Sequence, residues 1–233
     1  TLFIIGDSTV KNNTAGLQGW GDPLSDFFDL PLITVRNQAL GGRSSRTFQT
    51  EGLWDKVLAD IRPSDFVLIQ FGHNDGGPLN TGRARASLKG IGDLSEEVVM
   101  EATGRQETVH TYGWYLRKYI ADTRAKGAIP IVCSLVPRNL WKEAKVVRAS
   151  EDYGLWAAQT AQEQGVFFID LNERIAEQYE KAGPEKVKNE YFLEDHTHTT
   201  PAGARLSAKA VVQGIRDLKQ CTLKNYLRQF DED

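Results

Sequence analysis

The chain of 233 residues carries 28 Lys and Arg against 31 Asp and Glu, a formal charge of -3, with 40% hydrophobic and 25% charged residues. That balance fits an ordinary globular protein and argues against disorder and against a basic field for nucleic acid. No apolar run approaches the roughly 20 residues of a membrane-spanning helix, and two cysteines, Cys133 and Cys221, cannot make a disulfide scaffold.

The chain begins at Thr1 rather than Met, and residues 2–5 already read as a strand. An upstream segment such as a signal peptide is therefore expected to have been removed. Further unalternating apolar runs follow at residues 32–35, 66–69, 129–133 and 166–169. Such runs suit strands buried on both faces, as in a parallel sheet between helix layers. Leu24, Phe27 and Phe28 predict a helix over 20–29, and Trp54, Val57, Leu58 and Ile61 predict another that Arg62-Pro63 stops. Tyr115, Leu116, Tyr119 and Ile120 mark a helix over 112–125, with Gly127 as its C-terminal stop. Thr200 as N-cap and Pro201 at the first helical position open the last helix, whose buried face is Ala204, Ala208, Val211, Val212 and Ile215. Residues 78–107 break the rhythm and predict a long functional or mobile loop. The alternation predicts a three-layer α/β/α sandwich in a single domain, with right-handed crossovers. Cys133 lies inside a strand pattern and Cys221 near the C-terminus; both read as unpaired thiols, with a bridge left open.

In an open parallel sheet, ligands bind beyond the carboxyl ends of the strands. There the sequence places Gly6-Asp7-Ser8-Thr9, the stretch from Asn37 to Arg46 with Gly41-Gly42, Gly72-His73-Asn74-Asp75, Val136-Pro137-Arg138-Asn139 and, before the last helix, Asp195-His196-Thr197-His198. Serine chemistry needs a nucleophile, a base, a group that orients the base, and donors for an oxyanion. Ser8, His198 and Asp195 supply the first three. The amides of Ser8 and Gly42 and the side chain of Asn74 are the candidate donors. Gly6-Asp7-Ser8-Thr9-Val10 lacks the second glycine of a G-x-S-x-G elbow, which disfavours an α/β-hydrolase. Asp195, His196 and His198 also permit a second reading as metal ligands.

These blocks, in this order, resemble the SGNH or GDSL-type hydrolases, and within them the rhamnogalacturonan acetylesterases. The resemblance rests on Gly6-Asp7-Ser8-Thr9, Gly19-Trp20-Gly21, Gly41-Gly42-Arg43-Ser44-Ser45-Arg46-Thr47, Phe71-Gly72-His73-Asn74-Asp75 and Asp195-His196-Thr197-His198. It implies a flavodoxin-like α/β/α sandwich whose five parallel strands run in the order 2-1-3-4-5. It also implies a Ser8, Asp195 and His198 triad with Ser8, Gly42 and Asn74 as oxyanion hole. The implied reaction removes acetyl groups from an acetylated pectic polysaccharide or oligosaccharide and requires no cofactor. Residues 78–107 are not shared by all members. Galacturonate carboxylates would suit bidentate arginine, so Arg43, Arg46 and Arg138 are candidate substrate-binding residues. Trp141 and Trp20 are candidate sugar platforms. A monomeric, secreted or periplasmic enzyme is expected, without nucleic-acid or membrane partners. Another acetylated polysaccharide, a small acyl ester, a metal-dependent hydrolase and a non-catalytic glycan-binding module remain the alternatives.

Overall fold

A computed structural model describes residues 1–229. In chain order the elements are β1 (Leu2–Gly6), a 3-10 turn (Pro23–Phe27), β2 (Val35–Asn37), α1 (Thr47–Thr50), α2 (Leu53–Asp60), β3 (Phe66–Gln70), β4 (Ser95–Val99), β5 (Gln106–His110) and α3 (Tyr112–Ala125). Then come β6 (Ile129–Cys133), β7 (Trp141–Lys142), β8 (Lys145–Val146), α4 (Tyr153–Glu163), β9 (Phe167–Ile169), α5 (Leu171–Ala182), α6 (Pro184–Lys186) and α7 (Pro201–Asp217).

The central sheet has five strands in the order β2-β1-β3-β6-β9, every pairing parallel. Counted by strand within this sheet, that is the expected 2-1-3-4-5. All residues of β1 and β3 are buried, which is why their runs do not alternate in polarity. The two faces separate cleanly. Leu2, Ile4, Phe66, Leu68, Ile131 and Ile169 pack against α5 and α7, while Phe3, Ile5, Val67, Ile69 and Val132 pack against α2, α3 and α4. The result is a three-layer α/β/α sandwich. Helix starts follow local chemistry: the Thr111 hydroxyl caps α3 by accepting from the Trp114 amide, and the Thr200 hydroxyl caps α7 by accepting from Gly203. Cys133 and Cys221 are buried free thiols.

Three expectations need correction. The helix over 20–29 shrinks to the short Pro23–Phe27 turn. The Trp20 and Gly21 amides donate to the Thr9 and Val10 carbonyls instead of starting a helix, although Leu24, Phe27 and Phe28 are buried as their spacing requires. The second strand begins at Val35, because the Leu32 and Ile33 amides turn back onto the Asp29 carbonyl and leave Leu32 exposed. Residues 78–107 contain most of an antiparallel hairpin, β4 with β5, rather than an unstructured loop. Most β4 side chains are exposed, so no apolar alternation marks it in the sequence. Two helices not expected from the sequence, α4 and α5, lie on opposite faces of the sheet, α4 beside α2 and α3 and α5 beside α7.

Candidate active site

The turn after β1 is built to hold Ser8 at the sheet's carboxyl rim. The Asp7 carbonyl accepts from the Val10 and Lys11 amides, and the buried Asp7 carboxylate accepts from the Thr9 amide and hydroxyl at 2.8 and 2.7 Å. Gln70, at the end of β3, clamps this turn by donating to the Thr9 hydroxyl and accepting from Trp20 Nε1. Gly6 is required there, because a Cβ would lie 2.6 Å from the Gln70 carbonyl and 2.5 Å from Val10 Cγ2.

The base arrives from a loop fastened at both ends. The Thr199 carbonyl accepts from the Gln18 amide and the Thr199 hydroxyl donates to the Gln18 carbonyl, Thr199 bridges to Phe192, and the Thr200 amide donates to the Tyr191 carbonyl. Within this loop Asp195 Oδ1 accepts from the Thr197 and His198 amides, each at 2.7 Å, and Oδ2 lies 2.6 Å from His198 Nδ1. His198 Nε2 lies 2.8 Å from Ser8 Oγ. Serine, imidazole and carboxylate thus form one continuous chain of hydrogen bonds, spanning 190 residues of sequence between Ser8 and His198. Burial would raise the Asp195 carboxyl, but the His198 ring and the two amides outweigh it and hold the group down to about 2. Asp195 therefore stays ionised wherever the imidazole needs an orienting anion.

The donors face the same space. Gly42 adopts a left-handed φ of 81°, and Asn74 is fixed by its Nδ2 donating to the Arg43 carbonyl at 2.8 Å. Asp75 locks the two blocks together. Buried in the loop after β3, it accepts from the amide and hydroxyl of Ser45 and from the Ser87 hydroxyl. From α3, the Tyr119 hydroxyl donates to the Ser45 carbonyl and the Tyr112 hydroxyl to the Phe71 carbonyl. Asp75 and Asp7 lay within quoted motifs, yet nothing in their local sequence distinguishes a buried organising carboxylate from an exposed one.

Ser8, Gly42, Asn74, Arg138 and His198 line one cleft of about 610 Å³. The other expected substrate contacts do not reach it. Arg46 is fully buried, with Nε on Glu107 at 2.7 Å and Nη1 on the Leu79 and Ala86 carbonyls at 2.8 Å each, so its donors are spent on structure. Arg43 is turned to Glu51 and the Gly41 carbonyl. Trp20 is buried against Gln70, and Trp141 packs on the core with its Nε1 donating to Asn139. Lys11, Arg83 and Arg85, not expected from the sequence, also line the cleft. The arginines come from the non-periodic segment, where only the tertiary path of the chain reveals their destination. The metal reading meets a different geometry: both His198 nitrogens face Asp195 and Ser8, and His196 Nε2 faces the Arg138 guanidinium at 3.2 Å. Among the described residues no group of three or more His, Cys, Asp or Glu side chains is placed to hold a metal ion.

Two groups at this rim, the half-buried His73 with its ring nitrogens shielded from solvent and the buried Asp75, oppose each other in pH. Burial pushes His73 down to about 4, aided by Arg138 and His198 and resisted by Asp7. Burial pushes Asp75 up to about 6 against its serine hydrogen bonds. Between pH 6.5 and 4 the native state binds fewer protons than the unfolded chain at His73, so this contribution to stability falls on acidification. Between pH 6 and 3.8 it binds more at Asp75, so that contribution rises on acidification. Each window is worth roughly 3 kcal/mol at 1.36 kcal/mol per pH unit. His73→Gln is therefore expected to become relatively more stable than the parent as pH falls from 6.5 to 4.5, and Asp75→Asn relatively less stable. Thermal midpoints of the three proteins across that range check both signs.

A hydroxyl, imidazole and carboxylate in series beside convergent N–H donors can carry acyl transfer, on a sheet whose carboxyl rim forms the floor of an open cleft. Residues 4–206 match the GDSL-like lipase/acylhydrolase family. The chain is 33% identical over 215 residues to a rhamnogalacturonan acetylesterase of Emericella nidulans, covering 92% of this chain and 84% of that protein. It is 34% identical over 224 residues to a probable rhamnogalacturonan acetylesterase, YesY, of Bacillus subtilis, covering 93% of both. The crystal structure of Bacillus subtilis YxiM superposes with a TM-score of 0.74 at 26% identity, over 93% of this chain and 56% of that one. The acetylxylan esterase Axe2 of Geobacillus stearothermophilus shares the fold, with a TM-score of 0.61 at 18% identity over 94% of both chains. The chain belongs to the GDSL-like lipase/acylhydrolase family and is a carboxylic ester hydrolase.

Proposed function

We propose that this enzyme is a serine carbohydrate esterase that removes acetyl groups from pectic rhamnogalacturonan. The observation that carries the reading is the unbroken Ser8–His198–Asp195 relay, with links of 2.8 and 2.6 Å, opening into the cleft. Ser8 Oγ attacks the acetyl carbonyl while His198 Nε2 takes its proton, and Asp195 stabilises the imidazolium so formed. The oxyanion rests on the Ser8 and Gly42 amides and the second Nδ2 hydrogen of Asn74, whose first is held by the Arg43 carbonyl. The sugar hydroxyl departs with the proton from His198. Water, deprotonated by His198, then releases acetate from Ser8. Leu17, Ala39 and Leu40 are the apolar side chains at the cleft wall, which suits a two-carbon acyl group better than a long chain.

Relatives named rhamnogalacturonan acetylesterases support the choice of polymer. Acetate release from native acetylated plant polysaccharides, with Ser8→Ala as control, tests the reading. Release from acetylxylan but not from rhamnogalacturonan would refute the substrate, and release by Ser8→Ala equal to the parent would refute the mechanism. Asn74→Ala is expected to lower kcat on a chromogenic acetate ester by about 10²–10³ with little change in KM, because the lost donor acts on the charge developing in the transition state. An equal loss through KM alone would remove Asn74 from the oxyanion site.

A further inference from the structure

The lining of the cleft is unlike the rest of the surface in charge. Lys11, Arg83, Arg85 and Arg138 line it, and among the described residues no Asp or Glu does, in a chain whose formal charge is -3. Arginines elsewhere, such as Arg36, Arg117, Arg148 and Arg205, pair with carboxylates. Among the described residues the cleft arginines have no such partner. Arg138 meets only His196 and the His73 carbonyl, and one Nη of Arg85 donates to the Gly42 carbonyl at 3.0 Å. Unpaired guanidinium groups facing one cleft are a receptor for an anion.

The segment that delivers Arg83 and Arg85 is held firmly. The buried Arg46 guanidinium grips the Leu79 and Ala86 carbonyls, closing the loop between them. Its Nε is fixed by Glu107 on β5. Next to the loop, the Ser87 amide and hydroxyl donate to the Asp75 carbonyl and carboxylate. Two side chains thus tie this loop to the Ser45–Arg46 block and to the loop after β3, beside the candidate oxyanion donors. Burial and the Arg83 charge both disfavour the charged form of Arg85, while Asp7 and Asp75 favour it.

We propose that Arg83 and Arg85 form a carboxylate-binding subsite that selects polymers carrying a uronate unit beside the acetylated sugar. The subsite rests on the polysaccharide acetylesterase reading given above. Planar guanidinium and carboxylate groups match in bidentate fashion, and the unused edge of each arginine supplies the donors. Through its bond to the Gly42 carbonyl, Arg85 would also link an occupied subsite to the peptide beside the reacting carbonyl.

The test separates binding from turnover by using ligands without esters. The intact enzyme is titrated calorimetrically with trigalacturonate and with the neutral trisaccharide xylotriose. Trigalacturonate is expected to bind at least about tenfold more tightly, since a hydrogen bond to a charged group contributes about that factor or more. The preference should shrink as salt rises. Arg83→Gln, an exposed loop change, and Arg85→Gln should each weaken trigalacturonate by about tenfold and leave xylotriose unaffected. Equal affinity of the parent for both ligands, or unchanged trigalacturonate affinity in both variants, overturns the subsite. Acetate release from acetylated polysaccharides is measured alongside. Arginine-dependent binding of trigalacturonate without acetate release from any polymer would sink the substrate reading and leave the subsite standing. Equal release from anionic and neutral polymers by parent and variants would do the reverse.

Discussion

Replacing Ser8 by Ala is expected to lower kcat by about 10⁶-fold while the fold and the affinity for substrate persist. The Ser8 hydroxyl bonds to His198 and is only partly buried, so its removal leaves no buried polar group stranded and no sizeable cavity. What disappears is the acyl-enzyme route. The residue left over, about 10³–10⁴ above the uncatalysed reaction, would come from the Gly42 and Asn74 donors and from binding alone. Single-turnover release of acetate, with ligand affinity measured in parallel, reads both quantities. A variant within tenfold of the parent would mean that the nucleophile is some other group.

Asp195→Asn is the second large effect, about 10⁴-fold in kcat. The amide oxygen can still accept from the Thr197 and His198 amides, so the loop should keep its shape. The amide nitrogen then points at His198 Nδ1, where the carboxylate oxygen sat at 2.6 Å. To avoid opposing donors, the ring must carry its proton on Nε2, which then donates to Ser8 instead of accepting from it. The base is lost through the wrong tautomer rather than through displacement. Because the Asp195 carboxyl lies at about 2 in the parent, activity lost at mildly acid pH does not come from protonation of Asp195. Asp195→Asn with parental kcat would remove Asp195 from the relay.

Much of the site could be read from local sequence. Gly6-Asp7-Ser8-Thr9, Gly42 and Asn74 follow strand ends, which the parallel topology carries to one rim, and the loop before α7 brings Asp195-His196-Thr197-His198 to the same rim. The Asp195–His198 contact is itself local, since a turn of three residues forms it. The expected arginines fared unevenly. Arg138 reaches the cleft, but Arg43 and Arg46 follow the same glycine pair and turn away from it, one to Glu51 and one into the interior. A strand-end position fixes where a backbone goes. It does not fix the direction of a long side chain, which is set by acceptors far away in sequence, such as Glu107 for Arg46.

The alternation of buried strands and amphipathic helices is written in local sequence, because burial on one or two faces imposes a period on neighbouring residues. The chemical inventory of the rim is written there too. Which polar groups are buried, and what they serve, is set by the packed chain: Asp75 joins Ser45 to Ser87, Arg46 closes the loop from Leu79 to Ala86, and Arg83 and Arg85 come to the cleft beside Gly42. These contacts join segments tens of residues apart. Their partners are chosen by the packed fold, so no local period or spacing could announce them.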